Sequence, residues 1–326
     1  MSKIRVLITD GMAKEGAEIL KSNSQFEVDL RKSTSADELA GIIANYECIV
    51  IRSATTLTKE LIEKATSMKL IVRAGAGVDN IDVPTATAKK ISVMNTASAN
   101  SLAAAEQTIA LMFSMLRQIP QASASLREGK WEREAYKGYE ATGKTMAVLG
   151  LGNIGRIVAE KAIGLGMKVV GYDPMIKSMS QVPGKLSKML EDFTLVTSLD
   201  EAVKAANIIS VHVPKNKDTS NLINGDRIGQ MKDKGFIINC SRGGIVDEKA
   251  VIAALDSGKL AGAAFDVYDK EPPVFPNPLF THPKIACAPH LGASTFEAQD
   301  RVALTAAAQM IGFFIKGEKM GVINLI

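Results

Sequence analysis

The sequence has 326 residues, of which 46% are hydrophobic and 23% are charged, and its formal net charge is +4. This length suits two domains better than one. The charge is mild and no basic cluster interleaves with aromatic residues, which argues against a nucleic-acid partner. No apolar run reaches the roughly 18 residues of a membrane span, and no signal peptide precedes the first strand-like segment, so we expect a cytoplasmic protein.

The three cysteines agree with that compartment. Cys48, Cys240 and Cys287 are odd in number and widely spaced, and no C-x-x-C motif occurs. This pattern favours reduced, buried thiols over disulfides or a metal site.

The first 98 residues alternate short apolar runs with helical periodicity, which predicts a parallel sheet with helices on both faces. Strands are expected at 4–8, 26–30, 48–51, 70–73 and 91–94, and helices at about 13–21, 36–44 and 59–66 and after Asp82.

Two of these predicted strands end at residues suited to binding. Ligands of open α/β sheets gather at the carboxyl ends of the strands, so we expect both segments to contact a small ligand. The residues concerned are Arg52, Ser53, Arg73, Ala74, Gly75 and Ala76.

A long alanine-rich helix is predicted over 100–117, and a second over about 121–129. The first is open to two interpretations: a core helix, or a connector between two lobes that also forms a dimer surface. Trp131, the only tryptophan, is expected to be a packed anchor.

The clearest motif is G-x-G-x-x-G at residues 150–155, which lies between two apolar strand-like runs and opens a helical segment. It predicts a dinucleotide-binding βαβ unit. Gly150 would form the tight turn, Gly152 would admit the pyrophosphate, and Gly155 would let the helix pack on the sheet. The expected cofactor-binding residues of the loop are Gly150, Gly152, Asn153, Ile154 and Gly155.

Asp173 ends the second strand of this unit. An acid at this position accepts hydrogen bonds from the adenosine ribose and repels a 2′-phosphate, and the following Pro174-Met175 supplies no arginine. We therefore predict NAD rather than NADP.

Further apolar runs continue the alternating pattern and predict a second parallel sheet. Strands are expected at 145–149, 167–172, 193–196, 207–213, 235–239, 262–266 and 285–288, with a surface excursion at 176–192 and a last helix at 294–316. That helix follows the last strand of the nucleotide lobe, so it is expected to pack back onto the first domain.

Two later segments suit acid–base chemistry. Arg242 lies between small residues after an apolar strand, where its planar fork suits a carboxylate and a neighbouring carbonyl, although a surface arginine in a turn is the alternative. His290 follows another strand, and the ordinary histidine pKa of about 6.5 suits proton exchange with an alcohol. We assign Glu271 as the carboxylate that binds the other ring nitrogen of His290 and fixes its tautomer. His212, in an apolar strand, and His282, in a Thr-His-Pro turn, lack such surroundings.

At these residues the sequence resembles the D-2-hydroxyacid dehydrogenase family over nearly its whole length, and within it the members that oxidise 3-phospho-D-glycerate. The segments that carry the resemblance are 52–55, 73–80, 100–101, 130–133, 150–155, 171–174, 239–247, 266–273 and 290–295.

The resemblance implies an NAD-dependent dehydrogenase that removes hydride from C2 of 3-phospho-D-glycerate, the entry to serine synthesis. It implies Arg242, Glu271 and His290 as the catalytic trio and Asp266 near the nicotinamide carboxamide. Asn100 joins the substrate-binding residues. Arg52 is our first candidate for the substrate phosphate, and Arg73 is the second.

The same resemblance implies two doubly wound parallel-sheet lobes. A Rossmann NAD-binding domain at 99–292 would be inserted in a flavodoxin-like substrate or lid domain at 1–98 and 293–326. It also implies a homodimer joined through the nucleotide lobes. Arg133 or Lys137 of a neighbouring subunit is a further candidate for the cation that binds the substrate phosphate.

Two other functions stay open: a reductase of glyoxylate, hydroxypyruvate or lactate and, more distantly, an NAD-sensing binding protein like the transcriptional corepressors of this fold. Ala97 replaces a proline of the usual family pattern. The sequence ends at Ile326, where many relatives continue into a serine-sensing domain, so serine inhibition is not expected.

Overall fold

A computed structural model describes residues 3–324 of the chain. The strands of this part are β1 (Ile4–Ile8), β2 (Phe26–Leu30), β3 (Cys48–Ile51), β4 (Leu70–Arg73), β5 (Ser92–Asn95), β6 (Thr145–Leu149), β7 (Lys168–Tyr172), β8 (Phe193–Val196), β9 (Ile208–Val211), β10 (Gly235–Asn239), β11 (Leu260–Phe265) and β12 (Ile285–Cys287). The α-helices are α1 (Lys14–Ser22), α2 (Ala36–Ile42), α3 (Lys59–Lys64), α4 (Val83–Ala88), α5 (Ser101–Leu116), α6 (Ile119–Arg127), α7 (Gly155–Gly164), α8 (Leu199–Ala205), α9 (Gly225–Gln230), α10 (Glu248–Asp256), α11 (Pro278–Thr281) and α12 (Phe296–Ile311).

The chain divides into two compact units. One consists of Met1–Asn100 and Ala293–Ile326, and the other of Ser101–Gly292. Each contains one parallel sheet with helices on its faces, so the predicted fold class is confirmed. In residues 3–324, no helix combines the length and the apolar character needed to cross a bilayer.

The first unit has five parallel strands in the order β2-β1-β3-β4-β5, the flavodoxin-like arrangement. Both faces of its sheet are covered, because successive residues such as Leu7 and Ile8 are fully buried in two different apolar clusters. The last helix, α12, belongs to this unit and packs on α1. The approach is so close that a Cβ on Gly16 would lie 2.7 Å from backbone atoms of Ala303.

The second unit has seven parallel strands in the order β12-β11-β10-β9-β6-β7-β8. The chain starts this sheet at β6, proceeds outward through β7 and β8, and returns to β9 on the other side of β6. Ile237 and Ile238 are fully buried on opposite faces of the sheet. The order reverses between β6 and β9, which is where open α/β sheets bind their ligands.

Helix α5 packs on this seven-stranded sheet through residues such as Met112 and Leu116, which supports its interpretation as a core helix. The last α-helix, α12, is shorter than the helix predicted at 294–316. It ends at Ile311 and continues as a single π-helical turn over Gly312–Lys316.

Three expectations were wrong in part. Residues 176–192 are irregular, as predicted, but they do not lie only on the surface, because Val182 and Leu186 are buried in the core of the second unit. Trp131 is 78% exposed and is not a packed anchor. Cys48 and Cys240 are buried thiols, whereas Cys287 is exposed. In each case the polarity of a residue did not determine whether its side chain is buried or exposed.

The start of α7 offers a direct test of backbone packing. A Cβ on Gly155 would overlap the carbonyl oxygen of Gly150, and neither atom belongs to a flexible side chain. We predict that Gly155→Ala lowers the free energy of unfolding by about 1–3 kcal/mol, measured by urea denaturation.

The matched control is Gly164→Ala at the other end of the same helix, where a Cβ has no atom within 4 Å. This change should be neutral or should stabilise the protein by up to about 1 kcal/mol, because alanine favours the helix over glycine. Equal losses from both changes would contradict the packing argument.

Candidate active site

The glycine-rich loop follows β6 at the reversal of strand order, and its three glycines differ in surroundings. Gly150 has φ +96°, and a Cβ there would lie 2.6 Å from the carbonyl oxygen of His212. Gly155 is equally confined by Gly150. Gly152 has no atom within 4 Å of its would-be Cβ. Two glycines are therefore required by the protein's own packing, and Gly152 leaves room on the outside.

Helix α7 begins at the end of this loop, and its capping residue, Ile154, makes no side-chain hydrogen bond to the first turn. Asn153 is exposed beside it. Uncapped N–H groups and the positive end of the helix dipole favour an anion. The open face of Gly152 and this uncapped helix start fit the pyrophosphate of a dinucleotide.

Asp173 lies at the end of β7 and is tied to the loop. Its Oδ2 accepts a hydrogen bond from the N–H of Leu151 at 2.9 Å, and its Oδ1 accepts one from Met175 at 2.9 Å. A carboxylate oxygen has a second lone pair, so both oxygens keep capacity to accept from a ribose hydroxyl. The residue predicted to select NAD thus also shapes the glycine-rich loop.

Arg242 lies in the turn after β10, and its backbone is held from both sides. The Asn239 side chain donates to the carbonyl oxygen of Arg242 at 2.9 Å. On the other side, a Cβ on Gly243 would overlap the carbonyl of Tyr268, so glycine alone permits this approach. The guanidinium donates to the Ser241 carbonyl at 2.7 Å through Nη1. Arg242 is half-buried in the second unit beside the segment that carries Glu271.

Glu271 and His290 form the predicted pair. The Nδ1 atom of His290 lies 2.5 Å from Oε2 of Glu271, and Oε1 of Glu271 accepts the N–H of Tyr268 at 3.0 Å. Burial alone would raise the pKa of Glu271, but the hydrogen bonds from His290 and Tyr268 and the charges of His290 and Arg242 lower it below its usual value. Glu271 is therefore a carboxylate at neutral pH, and Nδ1 of His290 is the donor.

The backbone around His290 is fixed by residues that follow β11. His290 has φ +54°, a left-handed conformation. The fully buried Asp266 accepts the N–H groups of Leu291 and Gly292, each at 2.8 Å, and burial raises its pKa although these bonds oppose the rise. The Tyr268 hydroxyl donates to the Ala288 carbonyl at 2.8 Å. Asp266 thus binds the histidine segment, and its contact with a carboxamide stays a prediction.

The other two histidines occupy different surroundings. His212 follows β9, whose last residue is Val211 rather than the predicted Val213. Its Nε2 lies 2.8 Å from the Ser210 hydroxyl, and desolvation lowers its pKa to about 3, so the ring is neutral. His282 lies 3.4 Å from Asp256. The Nδ1 of His282 also accepts the N–H of Lys284 at 3.2 Å, so neither histidine combines a carboxylate partner with an open ring nitrogen as His290 does.

In the first unit, two segments predicted to bind substrate lie after β3 and β4. Arg52 is half-buried and Ser53 is exposed. The Arg73 guanidinium folds back over its own loop, donating to the Ala74 carbonyl at 2.9 Å, and a Cβ on Gly75 would collide with it. Asn95 donates to the carbonyl of Ala76 at 2.8 Å.

Asn100 also lies in the first unit and is only 7% exposed, yet its Oδ1 has no hydrogen-bond partner among residues 3–324. A buried acceptor without a donor is costly, so this atom suits a ligand or a water molecule.

Sequence reasoning missed the residues that hold these segments: Asn239, Tyr268, Asp10, Asn80 and Gln107, the last of which donates to Asp266 at 3.4 Å. Asp10 and Tyr268 each lie a few residues beyond a predicted strand, and that position was a usable signal. Which groups Asp10, Asn80 and Gln107 bind could not be predicted, because those partners lie far away along the chain.

Comparisons with known proteins agree with this geometry. The family described as D-isomer specific 2-hydroxyacid dehydrogenase, NAD binding domain, matches residues 109–292. The D-3-phosphoglycerate dehydrogenase of Methanocaldococcus jannaschii is 42% identical over 97% of this chain and 58% of its own length. The Bacillus subtilis protein of the same name is 39% identical over 98% of this chain and 59% of its own length.

The chain therefore spans just over half the length of these relatives. Among solved structures, a glyoxylate reductase from Paecilomyes thermophila superimposes with a TM-score of 0.87 at 28% identity and covers 99% of both chains. The family match extends over more than half of this chain and contains the glycine-rich loop, Arg242 and the Glu271–His290 pair. The chain belongs to the D-isomer specific 2-hydroxyacid dehydrogenase family, and its second unit carries that family's NAD-binding domain.

Proposed function

We propose that the chain oxidises 3-phospho-D-glycerate to 3-phosphohydroxypyruvate with NAD, the first step of serine synthesis. The observation that carries the proposal is the hydrogen-bonded Glu271–His290 pair beside Arg242. An imidazole held by a carboxylate suits proton removal from an alcohol near neutral pH. The relatives named D-3-phosphoglycerate dehydrogenase, at about 40% identity, support this substrate over others of the family.

His290 acts through the ring nitrogen that Glu271 leaves open. Glu271 accepts from Nδ1, so Nε2 receives the proton of the C2 hydroxyl. The carboxylate stabilises the imidazolium that forms and keeps the ring oriented. Asp266 and Tyr268 hold the backbone on both sides of His290, so the ring keeps its position during the reaction.

Arg242 binds the substrate carboxylate and the C2 oxygen as it becomes a carbonyl. A guanidinium can donate two parallel hydrogen bonds to a carboxylate, and its positive charge stabilises negative charge on the neighbouring oxygen. Asn239 and Gly243 fix the backbone of Arg242, and the Ser241 carbonyl accepts a hydrogen bond from its Nη1, so the guanidinium is held before the substrate arrives.

The glycine-rich loop and the start of α7 would hold the pyrophosphate of NAD, and Asp173 would hold the adenosine ribose. When bound, NAD supplies the acceptor for the hydride that leaves C2. The negative charge of Asp173 disfavours the extra phosphate of NADP, so the proposal includes a preference for NAD.

The direct test is formation of NADH at alkaline pH. With NAD, we expect kcat/KM for 3-phospho-D-glycerate to exceed that for D-glycerate and D-lactate by at least about 100-fold, because a phosphate adds charge-assisted contacts worth several kcal/mol. NADP in place of NAD should give much lower kcat/KM. Equal rates with phosphorylated and unphosphorylated acids would contradict the substrate assignment.

A second candidate function is the reduction of glyoxylate or hydroxypyruvate. The close superposition on a solved glyoxylate reductase favours it, with a TM-score of 0.87 over 99% of both chains. The same assay run in reverse with NADH decides between the two. Higher kcat/KM for glyoxylate than for 3-phosphohydroxypyruvate would establish the second function.

The catalytic role of His290 is best tested with asparagine, because asparagine tolerates the left-handed backbone at this position better than most residues. We predict that His290→Asn lowers kcat by about 10²- to 10⁴-fold, since the proton acceptor is lost. NAD affinity, measured by calorimetry, should not change.

His282→Asn is the matched control, because His282 pairs with Asp256 and lies outside the site. Turnover of this variant should equal that of the unaltered protein. Retained turnover in His290→Asn would remove histidine from the mechanism.

We also propose that the chain forms a homodimer through the second unit. Four large apolar side chains from one stretch of this unit are exposed: Leu102, Ile119, Leu126 and Trp131, at 43%, 51%, 56% and 78%. Exposed apolar surface of this kind, with tryptophan prominent, is typical of interfaces. A second copy would bring the exposed Arg133 and Lys137 of the same stretch towards its partner.

Light scattering tests this assembly. The protein should have twice the mass of one chain, and Trp131→Glu should halve that mass, because a carboxylate cannot be buried there without a partner. Leu190→Glu, which alters an exposed leucine elsewhere on the same unit, is the control and should stay dimeric. A monomeric unaltered protein would refute the proposal.

A further inference from the structure

The loop after β3, residues 52–55, is called the Arg52 loop below. Asp10, which follows β1, holds both ends of this loop. Its Oδ2 accepts the N–H of Arg52 at 2.7 Å and the N–H of Thr55 at 3.1 Å. Its Oδ1 accepts the Thr55 hydroxyl at 2.5 Å, and that hydroxyl lies 2.8 Å from the hydroxyl of Thr9.

Asn80 holds the same loop from the opposite side. Its Nδ2 donates to the carbonyl oxygen of Arg52 at 2.7 Å and to that of Thr55 at 2.6 Å. Its Oδ1 accepts from Nε of Arg73 at 3.4 Å. Asp10 supplies only acceptors to the loop and Asn80 only donors, so the N–H and carbonyl groups of both end residues are satisfied by side chains.

The middle of the loop is left open by these contacts. The side chains of Ser53 and Ala54 are exposed, and their backbone N–H groups have no partner among residues 3–324. The Arg52 guanidinium makes no ion pair within the same residues, and the nearby Asp10 carboxylate accepts hydrogen bonds from two backbone N–H groups and the Thr55 hydroxyl. Two N–H groups and an unpaired guanidinium at a strand end suit an oxyanion.

We propose that Asp10 and Asn80 are positioning residues that hold the Arg52 loop in the shape that receives the substrate phosphate. This inference rests on the proposed function and on Arg52, the first candidate from the sequence, as the residue that binds that phosphate. Neither residue touches the substrate in this proposal. They act by removing the conformational freedom of a four-residue loop, so that binding does not have to supply that ordering.

The test uses isosteric changes that alter hydrogen bonding and leave side-chain volume intact. Asp10→Asn leaves one acceptor oxygen in place of two and removes the charge that strengthens its hydrogen bonds to the loop. Asn80→Asp removes the two donors that the carbonyl oxygens of Arg52 and Thr55 accept from. For each variant we expect the KM for 3-phospho-D-glycerate to rise about tenfold. A tenfold weaker affinity corresponds to the loss of one to two net hydrogen bonds. The kcat and the affinity for NAD should stay close to those of the unaltered protein.

Three measurements separate positioning from a merely structural role. D-glycerate, which lacks the phosphate, should show little change in KM with either variant. Thermal unfolding should show that both variants are folded at the assay temperature. Asp37→Asn, an exposed acid of the same unit, is the matched control and should change none of these quantities.

The Arg52→Gln variant shows whether a negative result overturns the positioning role or the proposed function itself. If the unaltered protein does not oxidise 3-phospho-D-glycerate, or Arg52→Gln leaves its KM unchanged, the phosphate assignment fails. If Arg52→Gln raises that KM and folded Asp10→Asn and Asn80→Asp do not, the positioning role is overturned. Equal rises for D-glycerate and 3-phospho-D-glycerate, or loss of folding in both variants, would overturn it too, because the contacts would then serve stability alone.

Discussion

The parallel pairing of strands is the constraint on which the candidate site depends. In the second unit, Gly150 follows β6, Asp173 follows β7, Arg242 follows β10 and His290 follows β12. Parallel strands end at the same edge of their sheet, so segments from across 140 residues of chain reach one edge. Because the strand order reverses beside β6, the loops there diverge and leave a crevice for a ligand.

Close backbone approach sets the second requirement. Gly150, Gly155 and Gly243 are confined by carbonyl groups of their own unit, so glycine at these positions serves the fold. A Cβ on Gly152 would meet no atom within 4 Å, which fits the proposed approach of a dinucleotide at this position. One short motif thus combines two glycines that packing confines with one that packing leaves unconfined, and a sequence pattern alone does not separate the two.

The irregular segments that carry functional side chains need their backbone groups satisfied, because they have no strand or helix partner. Buried Asp266 binds the N–H groups after His290, and Asp10 binds those at both ends of the Arg52 loop. Burial raises the pKa of Asp266, and the hydrogen bonds that fix the histidine segment offset only part of that desolvation. Acidic and amide side chains at strand ends thereby fix the backbone of the segments that carry the candidate catalytic and substrate-binding residues.

Much of this protein follows from local sequence. Apolar runs gave the strands to within a few residues, and the glycine spacing with Asp173 indicated a dinucleotide site, because short-range sterics and hydrogen bonding determine both. Tertiary structure alone decided that Trp131 faces outward, that Leu186 is in the core, and that Asp10 binds Thr55. Those outcomes depend on contacts between residues far apart in sequence, whereas composition and periodicity report only on neighbours along the chain.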